Sequence, residues 1–398
     1  MPPGLPKNAN LRAIAELVVV ALCTLAFALN AAGIAVTLLT PRYAATRDFV
    51  TYWASGQQIA HHADPYDQEA IKRLELSVGY APDAPTLIMR NAPPSLLLVI
   101  PLGFLGIRAA SLLWSAVLLF CFWLSVRTIA AMHHQPRSKL NFLAYAFAPA
   151  LSCLITGQTA LFVLLGLTLF LRFHRSQPFL AGVSLWLCAL KPQLFVPFAL
   201  VLLVWVVATR RYRILLGALL AFGCSMAIVL AMDPQVWLHY AQMMKAVRFE
   251  TRVIPCLSTL LRLFTVPEAF WVQYLLAALG CVWAIFYQVG KISEWDWMEH
   301  GSLLMLVSLT VAPYSWFMDQ SVLLPALLHT LYRTRSRTLV ATFALISAVI
   351  ELLNIRGISL GNSLVYAWTP LVWLLWFLFA RQSPRALKGD SGMDGNTA

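Results

Sequence analysis

The feature that most limits what this chain can become is a succession of long apolar runs separated by short clusters of Lys and Arg. The 398 residues are 60% hydrophobic and only 12% charged. No water-soluble fold of this length has interior enough to hide so much apolar surface, so the chain reads as a polytopic membrane protein. The formal net charge of +12 does not point to nucleic acid. Its basic residues sit between apolar runs, as the positive-inside rule requires of cytoplasmic segments. The seven cysteines, Cys23, Cys121, Cys153, Cys188, Cys224, Cys256 and Cys281, form no CxxC pair and lie mostly in apolar runs. They read as small core residues, with neither a disulfide framework nor a zinc site.

Lys7 and Arg12 place the N-terminus in the cytoplasm, and Leu11–Leu39 reads as a retained first span. That span delivers a polar loop of about fifty residues, Arg42–Ala92, to the outer face. Phe49, Tyr52, Trp53, Ile59 and Tyr66 suit a short helix lying on the bilayer, and Gln68–Leu76 a second one. Pro94–Leu105 is too short to cross and reads as re-entrant or interfacial. From there apolar runs and basic clusters alternate to a total of about twelve crossings, with both termini cytoplasmic. The expectation is one all-α integral membrane domain over 1–380, with an outer loop over 40–92 and a disordered cytoplasmic tail over 381–398. The compartment expected is a bacterial-type inner (plasma) membrane.

This topology gathers Asp48, Asp64-Pro65-Tyr66-Asp67, Gly157-Gln158, Lys191-Pro192, Asp233-Pro234, Arg262 and the segment from Tyr314 to Asp319 on one side. Asp48 stands in an apolar setting at the start of an aromatic helix. It is placed to act as a general base toward a hydroxyl, or more simply to cap that helix. Lys191 and Arg262 suit an anionic headgroup or phosphate, and each could equally mark a helix end. Asp319 is a second acid for the same cavity or a helix cap. Gln158 is an amide that could touch a polar ligand or sit in a tight turn. His61-His62 and His133-His134 are sequence neighbours whose side chains point apart, so no metal site is expected from them.

Read together, Asp48-Phe49 with Tyr52-Trp53, Pro65-Tyr66-Asp67, Pro93-Pro94, Gly157-Gln158, Lys191-Pro192-Gln193, Ser258 with Leu261-Arg262, and Pro313-Tyr314 with Asp319 resemble glycosyltransferase family 87 of the GT-C superfamily. The resemblance runs over most of Asp48–Ala326. It implies an inverting hexosyltransferase that moves a hexose, mannose in the best-known members, from a polyprenyl-phosphate-sugar donor to a hydroxyl of a lipid or glycan. It further implies Asp48 as catalytic base, and donor use without a nucleotide, a metal or another cofactor. On this reading Lys191 and Arg262 hold the donor phosphate. Tyr52, Trp53, Tyr66, Asp67, Gln158, Tyr314 and Asp319 line the cavity. The rival from another class is a polytopic transporter or lipid flippase, which predicts opposed charges at mid-membrane and a pseudo-repeat.

Overall fold

The computed structural model describes residues 47–246, 253–334, 336–355 and 364–382, with scattered helical positions between 17 and 36. Most of the expected first span Leu11–Leu39 and the tail beyond 382 lie outside the described residues. Among the described residues the protein is all-helical, with no strand. Five segments are long and apolar enough to cross a membrane: Ile107–Met132, Tyr212–Met232, Phe270–Gln288, Arg337–Asn354 and Leu364–Gln382. Five more apolar helical segments are shorter. The twelve crossings expected from the hydropathy pattern therefore correspond, among the described residues, to ten apolar segments of unequal length.

The polar loop forms α1 (Phe49–Ala60) and α2 (Gln68–Ser77), followed by two 3-10 turns, Pro93–Leu98 and Ile100–Phe104. Next come α3 (Ile107–Met132), α4 (Asn141–Tyr145), α5 (Ala148–Thr156), α6 (Ala160–Phe173) and α7 (Pro178–Cys188). The middle of the chain continues with α8 (Val196–Ala208), α9 (Tyr212–Met232), α10 (Val236–Ala246), α11 (Leu257–Thr265) and α12 (Leu275–Gln288). The last elements are α13 (His300–Thr310), a 3-10 turn at Phe317–Leu323, α14 (Leu324–Arg333), α15 (Arg337–Ile355) and α16 (Thr369–Gln382). The run Leu140–Ile155 is broken into α4 and α5, with Pro149 in the first turn of α5, where its missing N–H costs nothing.

α6 is the axis of the bundle. Its side chains from Ala160 to Leu165 are all buried, and it packs against α3 on one side and α7 on the other. A helix apolar all round has to be enclosed. α9 is the opposite case. Leu216, Leu219, Leu220 and Ile228 stay exposed on it, an outward apolar face suited to lipid.

α1 departs from the interfacial helix expected from its aromatics. Ten of its twelve residues are buried inside the protein. The reason lies in the Pro94–Leu105 segment, which folds back as the paired 3-10 turns and covers α1. Gly56 and Gly103 allow this contact: a Cβ on Gly103 would stand 2.0 Å from the Gly56 carbonyl oxygen. Trp53 Nε1 and Gln57 Nε2 donate to the Leu105 carbonyl at 2.9 and 3.1 Å and close the junction. The aromatic loop thus enters the bundle instead of lying across its surface.

Candidate active site

α5 ends at Gly157, whose φ of 76° lets the helix terminate in a left-handed cap. The site is built around this turn. A Cβ on Gly157 would stand 2.8 Å from the Phe49 Cβ, so the start of α1 rests directly on it. Arg47 fastens the contact. Its guanidinium is buried and donates to the Leu154 and Ile155 carbonyls at 2.6 and 2.5 Å, and to Ser115 and Ser111 hydroxyls at 3.3 and 3.4 Å. Those carbonyls are among the last of α5 and lack helical partners, and a cation is the natural group to satisfy them. Burial lowers the Arg47 guanidinium to about 10, so it remains charged at neutral pH. Trp114 of α3 donates to the Gly157 carbonyl at 2.7 Å and stacks on the Tyr52 ring.

With Arg47 and Phe49 fixed, Asp48 has little freedom. It occupies the N-cap position of α1, yet its carboxylate caps nothing. Instead Oδ2 accepts a 2.7 Å hydrogen bond from Gln158 Nε2. Gln158 Oε1 in turn accepts from the Tyr52 hydroxyl at 3.0 Å and from Lys191 Nζ at 3.3 Å. Lys191 Nζ donates to Asp319 Oδ1 at 2.5 Å, and Asp319 Oδ2 accepts from the Trp316 amide at 2.9 Å. One amide side chain therefore spans the gap between the acid on α1 and the cation after α7. The four groups come from positions 48, 158, 191 and 319 and form one continuous polar line.

The two ends of that line differ. Lys191 is 8% exposed and Asp319 is fully buried. Burial pulls the Lys191 ammonium down, but the Asp319 carboxylate more than reverses this and the net shift is upward. Asp48 is only partly covered. Burial pushes its carboxyl above the ordinary carboxylate range, against the pull of the Gln158 hydrogen bond and of the Lys191 and Arg47 charges. A carboxylate shifted upward is a stronger base than an exposed one.

The remaining expected residues divide. Tyr314 accepts from the Trp316 indole at 3.0 Å, close in sequence to Asp319. Tyr66 is buried, donates to the Asn91 carbonyl at 3.0 Å and packs on Tyr240. Trp53 is committed to the Leu105 carbonyl and does not offer its ring edge to a ligand. Asp67 caps α2 by accepting from the Glu69 and Ala70 amides, which is a structural task. Arg262 is buried on α11 with its guanidinium 5.3 Å from the Phe270 ring centre, and the polar line from Asp48 to Asp319 does not run through it. Arg47, Trp114 and Asn91 went unassigned in the sequence. Asn91 Nδ2 donates to the Leu190 carbonyl at 2.7 Å, one residue before Lys191. The one signal for Arg47 was a charge beside Asp48 at the start of an apolar helix.

Residues 91–255 match the sequence model of glycosyltransferase family 87. The match covers less than half of the chain. The finding supports the resemblance read from the motifs over these residues. The match includes Gln158 and Lys191, while Asp48 and Asp319 fall on either side of it. No curated protein and no solved structure matches the chain.

Proposed function

We propose that the protein is an inverting hexosyltransferase that moves a hexose, mannose by its family resemblance, from a polyprenyl-phosphate-sugar to a hydroxyl of a lipid or glycan. The single observation that carries this reading is the Gln158 amide, which joins the Asp48 carboxylate to the Lys191 ammonium. Acceptor activation and leaving-group stabilisation need a base and a cation a few ångströms apart, one at each end of the reacting bond. The acceptor oxygen attacks the anomeric carbon, and the bond from that carbon to the phosphate oxygen breaks. Asp48 takes the hydroxyl proton, and polyprenyl phosphate leaves with its added charge facing Lys191. No redox step or nucleotide enters the balance.

The reaction places the site on the outer face of the membrane, where the positive-inside pattern puts the polar loop. Lys191 is already paired with Asp319, so a donor phosphate joins or displaces that carboxylate. The transporter or flippase reading is weaker. Its opposed charges should sit at mid-helix, whereas Lys191 follows α7 and Asp319 lies in a 3-10 turn ahead of α14. The test is transfer of labelled hexose from polyprenyl-phosphate-mannose to a lipid extract by purified protein. Wild-type transfer lost in Asp48→Asn, with fold and donor binding kept, supports the reading. Equal transfer by the variant removes Asp48 from the mechanism.

A further inference from the structure

A second polar cluster joins the first polar loop to a second polar segment, which opens at Asp233 ahead of α10, away from the reacting groups. In the first loop, Asp64 Oδ1 accepts from the Tyr66 amide at 2.8 Å and shapes the turn that carries Tyr66. In the second, Asp233 Oδ1 accepts from the Gln235 amide at 2.9 Å and starts the chain into α10. His239, one turn into α10, faces both carboxylates. Its Nδ1 lies 2.8 Å from Asp233 Oδ2 and 3.7 Å from Asp64 Oδ1. The neighbouring residue Tyr240 sets its ring 5.4 Å from that of Tyr66. A further stitch runs from His62 Nδ1 to the Met232 carbonyl at 2.7 Å.

This junction leads back to the site along one line. The Tyr66 hydroxyl holds the Asn91 carbonyl, and the Asn91 amide holds the Leu190 carbonyl next to Lys191. Loosening the first loop at Asp64 therefore loosens the line that ends at the carbonyl before Lys191, on the donor-phosphate side, while leaving Arg47, Asp48 and Gln158 seated at the end of α5.

We propose that His239 is a positioning residue: standing between Asp64 and Asp233, it clasps the first polar loop to α10 and steadies the Tyr66–Asn91 line that ends beside Lys191. An imidazole suits this task, since its Nδ1 is at hydrogen-bond distance from Asp233 and stands close to Asp64. Burial pushes the Asp64 carboxyl up, the Tyr66 amide and His239 oppose that shift, and Asp67 and Asp233 add to it. The inference deepens the transferase reading and rests on it for its kinetic part.

Hydrogen–deuterium exchange on detergent-solubilised full-length protein tests the clasp without any substrate. In His239→Ala, amides of the first polar loop should exchange at least about tenfold faster, with those of α6 unchanged. His239→Asn puts an amide nitrogen near the Nδ1 position and should restore most of the protection. In transfer assays the Ala variant should show a KM for the polyprenyl-phosphate-sugar donor raised about tenfold with kcat within about twofold, and Asn should rescue it. Exchange unchanged in His239→Ala, or faster to the same degree in α6, overturns the clasp. Faster loop exchange with donor KM unmoved overturns its positioning role. If the wild type transfers no sugar, the exchange data still decide the clasp, and the transferase reading falls by itself.

Discussion

Two clusters of opposite charge sit at the two ends of one helical stretch, the 3-10 turn Phe317–Leu323 continued by α14. At the near end Asp319 holds Lys191, with side chains 0% and 10% exposed. At the far end Arg333 pairs with Glu299, with side chains 37% and 30% exposed, and lies 3.1 Å from His329 Nε2. Laid end to end the stretch spans at most roughly 30 Å, about the thickness of a bilayer core. The far cluster needs no function to explain it. Arg333 is in the last turn of α14, where the helix dipole favours a cation, and half-solvated pairs of this kind contribute little. The near cluster is dry, and a buried ion pair barely repays the desolvation of its charges. A chain that keeps one there, linked through a single amide to a second carboxylate, has kept it for something other than stability.

The sharpest way to break this contrast is Asp48→Asn. It should lower transfer by roughly 10²–10⁴-fold, the usual worth of a general base. Its melting temperature should hold or rise, because burial disfavours the ionised carboxylate that the substitution removes. Since the base form is needed and its pKa is raised, wild-type activity should fall on acidification at a pH above the ordinary carboxylate range. A profile flat through that range would contradict the assignment.

Lys191→Ala comes next. Alone it strands a buried Asp319 and should cost about 3–5 kcal/mol of stability. Lys191→Met with Asp319→Asn should recover most of that by thermal unfolding while donor use stays lost. Recovery of donor use together with the fold would reduce the pair to packing. Gln158→Leu should cost less than either, with a loss of about 1–3 kcal/mol in transition-state stabilisation as Asp48 and Lys191 lose their shared partner.

Glu75 gives a smaller effect outside the site. It is buried on α2, accepts from the Leu87 amide at 3.0 Å, and burial raises its carboxyl to about 7. The folded chain keeps a proton that the unfolded chain releases near 4.5, so stability is greatest at low pH and falls as pH rises to about 7. Glu75→Gln should remove that slope and gain roughly 1–3 kcal/mol at neutral pH, read by denaturant unfolding at two pH values. The smallest change belongs to the far cluster. Glu299→Gln should shift stability by less than about 1 kcal/mol and leave transfer unaltered. An effect on transfer as large as that of Lys191 would erase the distinction between the two ends.

Much of the fold was legible because apolar runs and basic clusters are strong, local signals. The helices over 178–188, 196–208, 212–232 and 337–355 fall where the hydropathy pattern puts them. The enclosure of α1 was not legible. An aromatic helix that lies in a lipid interface and one that is buried in protein have the same composition, and only the fold-back of 93–104 separates them. For the site, Asp48, Gln158, Lys191 and Asp319 could each be named as polar groups on one side. Their order of connection could not, since it depends on which amide atom faces which partner. Arg47 escaped notice because its role is to satisfy carbonyls about a hundred positions away, and a sequence does not show which helix end lies open beside it. Asp67 meets the same limit: an acid at a cap and an acid in a cavity look alike in sequence until the amides above it are seen.

The sequence by itself determined that this chain is an all-helical membrane protein and which of its polar residues are too costly to be there without a task. Hydrophobicity and charge act residue by residue, so a linear reading captures them. Only the tertiary structure decided that Asp48 and Lys191 meet through Gln158, that Asp319 already holds the cation, and that Arg262 stands apart from that line. Those facts rest on contacts between residues 33 to 128 positions apart, where close packing at Gly157, Gly56 and Gly103 selects one arrangement among the many that the same hydropathy would allow.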